Sequence, residues 1–562
     1  MIMPPLSRLI KPAFLVCLSI VVINSAYAQT SDSYNNLAKE AYDKKDYNLC
    51  IDYCTKSISI SANGYAYWER GAAYYSLYKY KEACEDYGKA MPYYSDNSSI
   101  GNLYYSRANS FYNFYQYKEA IEDYDKAVSY GNSEYKYIYW SRGNAYYFTA
   151  QYDKAISDFD KAVYYYNNDP KQKAKLYSFM ADAKSYLKDD AGALEYYSKA
   201  IDTDPGDRYS YKSRAKLLAN KGEYTKAKAD INKPLQLTSS DPIESMFDYE
   251  LYQLRSLYNY YLAEYEEGIK DANLALKTDS SMMTYWRLGI NYKGAGKIQQ
   301  SVTAYRTAIV KTKDTVNKSV LYRNIALALR SNLDFRGALK EVNTAIVLRK
   351  NYKDAYWTRA EIYTALKQFK AAIDDYDQCV AFYTDKSSLA TIYKDRAELE
   401  YMMKDYDRAL YDYNKLLELY PDNSNYMYNV GRFLIQSKKD PALGKAKLEK
   451  AASLDLAIDT CSDYSYSKFF LGDATTAINN SFRLIDKNRL NAYRYKWDLH
   501  ILACIYALSG NPAKALEYLD KSFAAGFDDY EHLYNDRDLQ SVINLPQYKA
   551  LLTKYKIPAP KL

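Results

Sequence analysis

Tyr117-Lys118-Glu119-Ala120-Ile121-Glu122-Asp123-Tyr124 returns, little changed, as Tyr152-Asp153-Lys154-Ala155-Ile156-Ser157-Asp158-Phe159 and again as Tyr406-Asp407-Arg408-Ala409-Leu410-Tyr411-Asp412-Tyr413. An alanine holds the fourth place of each phrase, and Ala83, Ala120, Ala155, Ala193, Ala227, Ala338, Ala372 and Ala409 all mark such phrases. Adjacent ones lie 34 to 38 residues apart, and in the long gap after Ala227 the same role falls to Gly268 and Ser301. Self-similarity at one period over a 562-residue chain describes an array of one small unit. It overrides the several globular domains that length alone would suggest.

Each unit carries two helical patterns. In one, Tyr139, Gly143 and Tyr146 fall at i, i+4, i+7, and just downstream Ala155, Phe159 and Ala162 repeat that spacing. Both are one-face helical periods. Tight polar turns such as Asn220-Lys221-Gly222-Glu223 separate them. Small residues let two helices approach and large aromatics fill the space beside them. An isolated pair cannot bury its apolar face, so the units must stack.

These residues resemble the tetratricopeptide repeat, whose pattern is W-x2-L-G-x2-Y, then A-x3-F, then A. Repeat 4 supplies Tyr139, Gly143, Tyr146, Ala155, Phe159 and Ala162; repeat 2 supplies Tyr67, Gly71, Tyr74, Ala83, Tyr87 and Ala90. The resemblance implies an all-α fold, a right-handed α-solenoid superhelix of about 12–14 helix-turn-helix repeats. Four regions are expected: a cleavable signal peptide over 1–28, and, by the resemblance, an N-terminal array over 29–457, a degenerate repeat or hinge over 458–491, and a C-terminal repeat with a helical cap over 492–562. Leu499, Ala503, Tyr506, Ala515 and Leu519 carry the returning pattern in the last region, and the tail from Gly526 to Leu551 resembles the cap of some bacterial arrays. Pro234 replaces an alanine in the second helix of repeat 6 and is expected to end that helix early. Repeat 7 is expected to follow an extended loop, Leu237 to Asp241.

The start of the chain reads as an export signal. Arg8 and Lys11 precede an uncharged run of eleven residues, Ala13 to Ile23, and Ala26-Tyr27-Ala28 offers a cleavage site before Gln29. The run is shorter than the roughly 20 residues that a spanning helix needs. A lipid anchor at Cys17 is disfavoured by Val16 before it. The expected protein is therefore exported, periplasmic or secreted, with no transmembrane segment after cleavage. Losing Arg8 and Lys11 lowers the net charge from +7 to +5, and both signs alternate along the chain with no basic stripe. Nucleic acid is not an expected partner. Six cysteines remain, without the spacing of a disulfide framework, and are expected as buried thiols. Tyrosine is abundant, at 70 residues against 16 Phe and 5 Trp. Its ring and hydroxyl suit helices that are half buried and half wet.

No catalytic, cofactor or metal motif emerges. His500 and His532 are the two histidines, and neither has a metal-like or triad-like companion nearby in sequence. Gly294-Ala295-Gly296-Lys297 lacks the Ser or Thr and the preceding strand of a phosphate loop. Acidic pairs such as Asp374-Asp375 fall on second helices, where solvated charge is ordinary. An enzyme is not expected.

Two constellations carry more. Arg70, Arg107, Arg142, Arg214, Arg255, Arg359 and Arg396 are each followed sixteen residues later by an aspartate: Asp86, Asp123, Asp158, Asp230, Asp271, Asp375 and Asp412. Where Leu37, Met180, Leu288 or Ile325 replaces the arginine, the aspartate is absent as well. Joint presence and joint loss predict an ion pair between the two helices of each repeat. The second constellation is a stripe on the first helices: Trp68, Ala72 and Tyr75; Tyr105, Asn109 and Tyr112; Trp140, Asn144 and Tyr147. By the resemblance this stripe faces a concave groove. Trp68, Tyr75, Tyr105, Asn109, Tyr112, Trp140, Asn144 and Tyr147 are the expected contacts to a partner. The expected function is a protein–protein interaction scaffold or adaptor for other proteins or peptides. A carbohydrate- or cell-wall-binding protein is the alternative, because stacked rings suit sugars too. The rings could also simply pack between neighbouring helices.

Overall fold

The structure, a computed structural model, describes residues 30–131, 135–236, 248–458 and 462–561. The export-like segment, the loop Leu237 to Asp241 and Cys461 lie outside them. Among the described residues there are thirty α-helices and no β-strand. They form antiparallel pairs packed in chain order, an α-solenoid of helix-turn-helix repeats. The chain divides into two compact units, Met1–Pro242 and Ile243–Leu562. The first holds six pairs, from Ser31–Asp43 with Tyr47–Ile60 to Arg208–Asn220 with Tyr224–Gln236. The second holds eight, from Asp248–Tyr261 with Tyr265–Ala275 to Ala492–Leu508 with Pro512–Ala524, followed by Tyr530–Asn535 and Pro546–Lys554. The stretch 458–491 contributes a pair, Ser462–Phe470 and Ala474–Lys487, within the second unit.

One local device joins the two helices of every pair. A left-handed residue follows the first helix: Lys45, Tyr78, Tyr115, Ala150, Lys188 and Gly222 in the first unit, with φ between 57° and 78°. In repeat 6 the N–H of Gly222 donates to Ala219 O and that of Glu223 to Leu218 O, both at 2.9 Å. This double bond pattern ends a helix and reverses the chain at once. The next residue already starts the second helix; Asp46, Asp189, Asp334 and Asp405 stand there and accept from backbone N–H groups of that helix. Ala150, exposed at φ 57°, adopts a conformation that glycine takes without steric cost. Ala150→Gly is expected to raise stability by about 0.5–1 kcal/mol, the left-handed strain outweighing the added chain entropy. A urea midpoint that falls instead would contradict this.

Packing within a pair follows the small-against-large pattern. A Cβ added to Gly143 would stand 2.7 Å from the Phe159 ring, and one on Gly289 would stand 2.5 Å from Tyr305. Phe159 and Tyr305 are buried. Such close approach is possible only while the first helix has no side chain there. Successive first helices touch one another more than successive second helices do. First helices therefore line the inner side of each unit.

Pro234 does not stop its helix, which runs on to Gln236. The proline sits in the last turn, where its missing N–H removes one bond from a helix that ends two residues later. Its carbonyl accepts from Arg208 Nη1 at 2.8 Å.

Candidate partner-binding grooves

All seven expected arginine–aspartate pairs form, each as a two-pronged contact. In repeat 4, Arg142 Nε donates to Asp158 Oδ2 at 2.6 Å and Nη2 to Oδ1 at 2.9 Å. The side chains are 11% and 4% exposed. A tyrosine three residues earlier lies beneath each guanidinium, as Tyr67, Tyr104, Tyr139, Tyr211, Tyr252, Tyr356 and Tyr393. Such cation–ring contact stabilises a partly desolvated charge. Burial opposes the charge on Arg142, but the bonds and charge of Asp158 outweigh it and hold the group above its ordinary range. In five repeats the remaining Nη1 reaches the second helix of the preceding repeat: Arg70 to Thr55, Arg142 to Asp125, Arg214 to Ser198, Arg359 to Asn343 and Arg396 to Asp377. These arginines thus bind three helices together. Their donors are engaged, which makes them poor anion receptors.

Glu400 lies beside the Arg396–Asp412 pair, 2% exposed, with its Oε1 3.0 Å from Arg408 Nε. Burial, and then the charge of Asp412, push its carboxyl from the ordinary 4.5 up to about 7. The folded chain therefore holds this proton where the unfolded chain has released it. Stability from this group is full below about pH 4.5 and is lost as pH rises through about 7. Glu400→Gln is expected to match the parent near pH 4.5 and to exceed it by about 1–3 kcal/mol at pH 8. Denaturation of both proteins across that range checks it; parallel curves would contradict the assignment.

The eight stripe residues of repeats 2 to 4 are all half-buried and lie on first helices. Trp68 meets Tyr94 edge-on at 5.5 Å and Trp140 meets Tyr166 in the same way at 5.1 Å, both at the end of the second helix of their own repeat. Trp357 and Tyr383 repeat the contact in the second unit at 5.3 Å. Asn109 Oδ1 accepts from the buried Tyr124 hydroxyl at 2.6 Å, and Tyr75 accepts from Asn113 Nδ2 at 3.0 Å. Tyr112 packs beside Phe148, and Tyr147 beside Tyr186 of repeat 5. One edge of these rings is fixed by neighbours and the other keeps solvent access. Burial holds the Tyr112 hydroxyl up at about 12, so it stays a neutral donor. The inter-helix packing that the sequence left as an alternative is present at these rings.

In the second unit the equivalent face is covered by the chain itself. The tail packs on the last repeat, with Leu533, Leu539 and Val542 fully buried against Leu499, Leu502 and Leu519. It also crosses to the first helices of repeats 9, 11 and 12 and to the turn after the first helix of repeat 10. Glu531 meets Arg330 at 3.0 Å, Asn535 accepts from Lys367 at 3.0 Å, and Arg537 meets Glu398 at 2.5 Å. Asp538 pairs with Arg432, both 8% exposed. Lys561 N donates to Leu333 O at 2.8 Å in an isolated β-bridge. A polar cavity of about 640 Å³ remains between the tail and these helices.

The histidines are not isolated as expected. His500 Nε2 lies 2.9 Å from Asp536 Oδ2, His532 Nε2 lies 3.4 Å from it, and Cys504 Sγ donates to it at 3.3 Å. His500 and Cys504 are more than thirty residues from Asp536 and meet it only because the tail folds over the helix Ala492–Leu508. The signal in the sequence was two i, i+4 pairs, His500 with Cys504 and His532 with Asp536. Burial opposes ionisation of Asp536, but hydrogen bonds from both imidazoles overcome it and hold the carboxyl far below its usual range. The other described cysteines, Cys50, Cys54, Cys84 and Cys379, are buried and unbridged.

Stacked helix pairs with aromatic and polar side chains on their first helices define a helical-repeat protein. Residues 31–63, 137–169 and 351–422 match models of the tetratricopeptide repeat. Those segments are tetratricopeptide repeats, and the helix pairs around them share their helix-turn-helix architecture. Similar solved structures include a tetratricopeptide repeat protein from Parabacteroides merdae, at 17% identity and TM-score 0.38, covering 46% of this chain and 98% of that one. Yeast Tom70 aligns at 16% identity and TM-score 0.35, over 81% of this chain and 99% of its own. The anaphase-promoting-complex assembly Cut9–Hcn1 aligns at 13% identity and TM-score 0.35, over 81% and 98%. No curated protein matches the sequence significantly. Among the described residues, no helix is long and apolar enough to cross a membrane.

Proposed function

We propose that this chain is an exported scaffold that holds segments of other proteins along the inner faces of its repeats. The docking surface is the stripe of Trp68, Tyr75, Tyr105, Asn109, Tyr112, Trp140, Asn144 and Tyr147. The observation that carries this reading is the second unit, whose first-helix face already receives a chain segment, its own tail, through side-chain pairs to Arg330, Lys367, Glu398 and Arg432. Half-buried tryptophan and tyrosine offer contact area at low rotamer cost, as binding hot spots do. The reading contains no catalytic step.

The test replaces Trp68, Tyr105 and Trp140 with alanine together and compares proteins recovered from exported extracts, with a glycan array run in parallel. Loss of recovered proteins with helicity intact supports the surface. Intact recovery from a folded variant removes it. Glycan binding that depends on these rings transfers the site to the carbohydrate alternative. Export has its own check: N-terminal sequencing of the exported chain is expected to begin at Gln29, and an intact Met1 or a lipid on Cys17 would contradict it.

A further inference from the structure

Four side chains of metal-ligating type meet where the tail folds over the last repeat. His500 and Cys504 lie one turn apart on the helix Ala492–Leu508. His532, in the helix Tyr530–Asn535, and Asp536, just after it, face them. From Asp536 Oδ2 the distances to His500 Nε2, Cys504 Sγ and His532 Nε2 are 2.9, 3.3 and 3.4 Å. A tetrahedral zinc with bonds of about 2.0–2.3 Å places its ligand atoms about 3.3–3.7 Å apart. The donor atoms of His500, Cys504 and Asp536 lie within 4.8 Å of one another, and His532, half-exposed beside Asp536, swings in to complete the set.

We propose that His500, Cys504, His532 and Asp536 bind one zinc ion, which clasps the C-terminal cap to the last repeat. Two imidazoles, a thiolate and a carboxylate are a donor set that favours zinc over magnesium or calcium, which take oxygen ligands. Charge balances at the site. The thiol of Cys504 releases its proton to solvent, and thiolate plus carboxylate neutralise the dication, with both imidazoles neutral and protonated on Nδ1. His500, Cys504 and Asp536 are 1%, 0% and 8% exposed. His532 is 45% exposed, and both it and Asp536 border the polar cavity, which gives an ion a way in. Four ligands leave no open position, so the site is structural rather than catalytic. His500 Nδ1 has no hydrogen-bond partner among the described residues. The outer-shell support worth about 10–100-fold in affinity elsewhere is therefore missing there, and binding is weaker than at a fully buttressed zinc site.

The test uses the full exported chain without an affinity tag, stripped with chelator and then loaded with zinc or cobalt(II). The expected result is one zinc per chain by elemental analysis, and a cobalt thiolate charge-transfer band with tetrahedral ligand-field absorption. Cys504→Ser is expected to abolish the band. His532→Ala, at a half-exposed position that leaves the core intact, is expected to weaken zinc at least tenfold in competition with a chromophoric chelator. Zinc is also expected to slow proteolysis within residues 526–562 of the parent. A folded parent that takes up no stoichiometric metal overturns the proposal. So does a band that persists in Cys504→Ser, because another of the cysteines would then be the ligand. Should Cys504→Ser fail to fold, unchanged affinity and ligand field in His532→Ala overturn it equally.

Discussion

Asp158→Ala is expected to destabilise the N-terminal unit by about 3–5 kcal/mol, and by more than the double replacement Arg142→Met with Asp158→Leu. The guanidinium of Arg142 is 11% exposed and gives two of its bonds to Asp158. With the aspartate gone, it keeps only Asp125, itself 53% exposed, at 2.7 Å. A desolvated cation then lacks its main counter-charge. Removing both partners leaves apolar groups in a cleft already lined by the rings of Tyr139 and Tyr146. Chemical denaturation of the two single variants and the double measures the coupling directly. Strict additivity would mean that the pair does not act as a unit.

Leu539→Ala is expected to cost about 2–5 kcal/mol, because the side chain is 0% exposed and its removal leaves a cavity beside Leu533 and Val542. Deleting residues from Phe527 onward is expected to do more. The face built by Leu499, Leu502, Ala503 and Leu519 would meet water. Arg432, paired with Asp538 deep under the tail, would lose its counter-charge about a hundred residues away. Hydrogen exchange reads both effects: protection should fall in Ala492–Leu508 and also in Ser424–Gln436. Unchanged protection in Ser424–Gln436 would show that the tail serves the last repeat alone.

The repeat and its ion pairs were legible because they are local. Residues sixteen apart in one helix pair meet in the same way each time the pair recurs, so seven instances reinforce one another. Of the tyrosines three residues before these arginines, Tyr67 and Tyr139 were legible as members of the repeat pattern, but their contact with the guanidinium was not. The turns were read only where glycine marks them, as at Gly222. Elsewhere Lys45, Tyr78, Tyr115 or Ala150 takes the left-handed conformation, imposed by the two helices it joins rather than by its own preference. The tail's return to Arg330 and the cluster at Asp536 each occur once, between segments far apart in sequence, so no period announces them. The aromatic stripe falls on first helices as its spacing implies, but its packing against Tyr94 and Tyr166 depends on positions that only the folded pair defines.

The third bond of the arginines gives the array a direction. Arg70, Arg142, Arg214, Arg359 and Arg396 each extend this donor to the neighbour on the N-terminal side. Stripping away a repeat from the C-terminal side leaves its neighbour with an acceptor such as Thr55 or Asp125, exposed enough for water to satisfy. Stripping from the N-terminal side takes a hydrogen bond from a guanidinium that is itself largely desolvated. Fraying is therefore easier from the C-terminal end of a run of repeats than from its start. That end, in the second unit, is the one closed by Leu533, Leu539 and Val542.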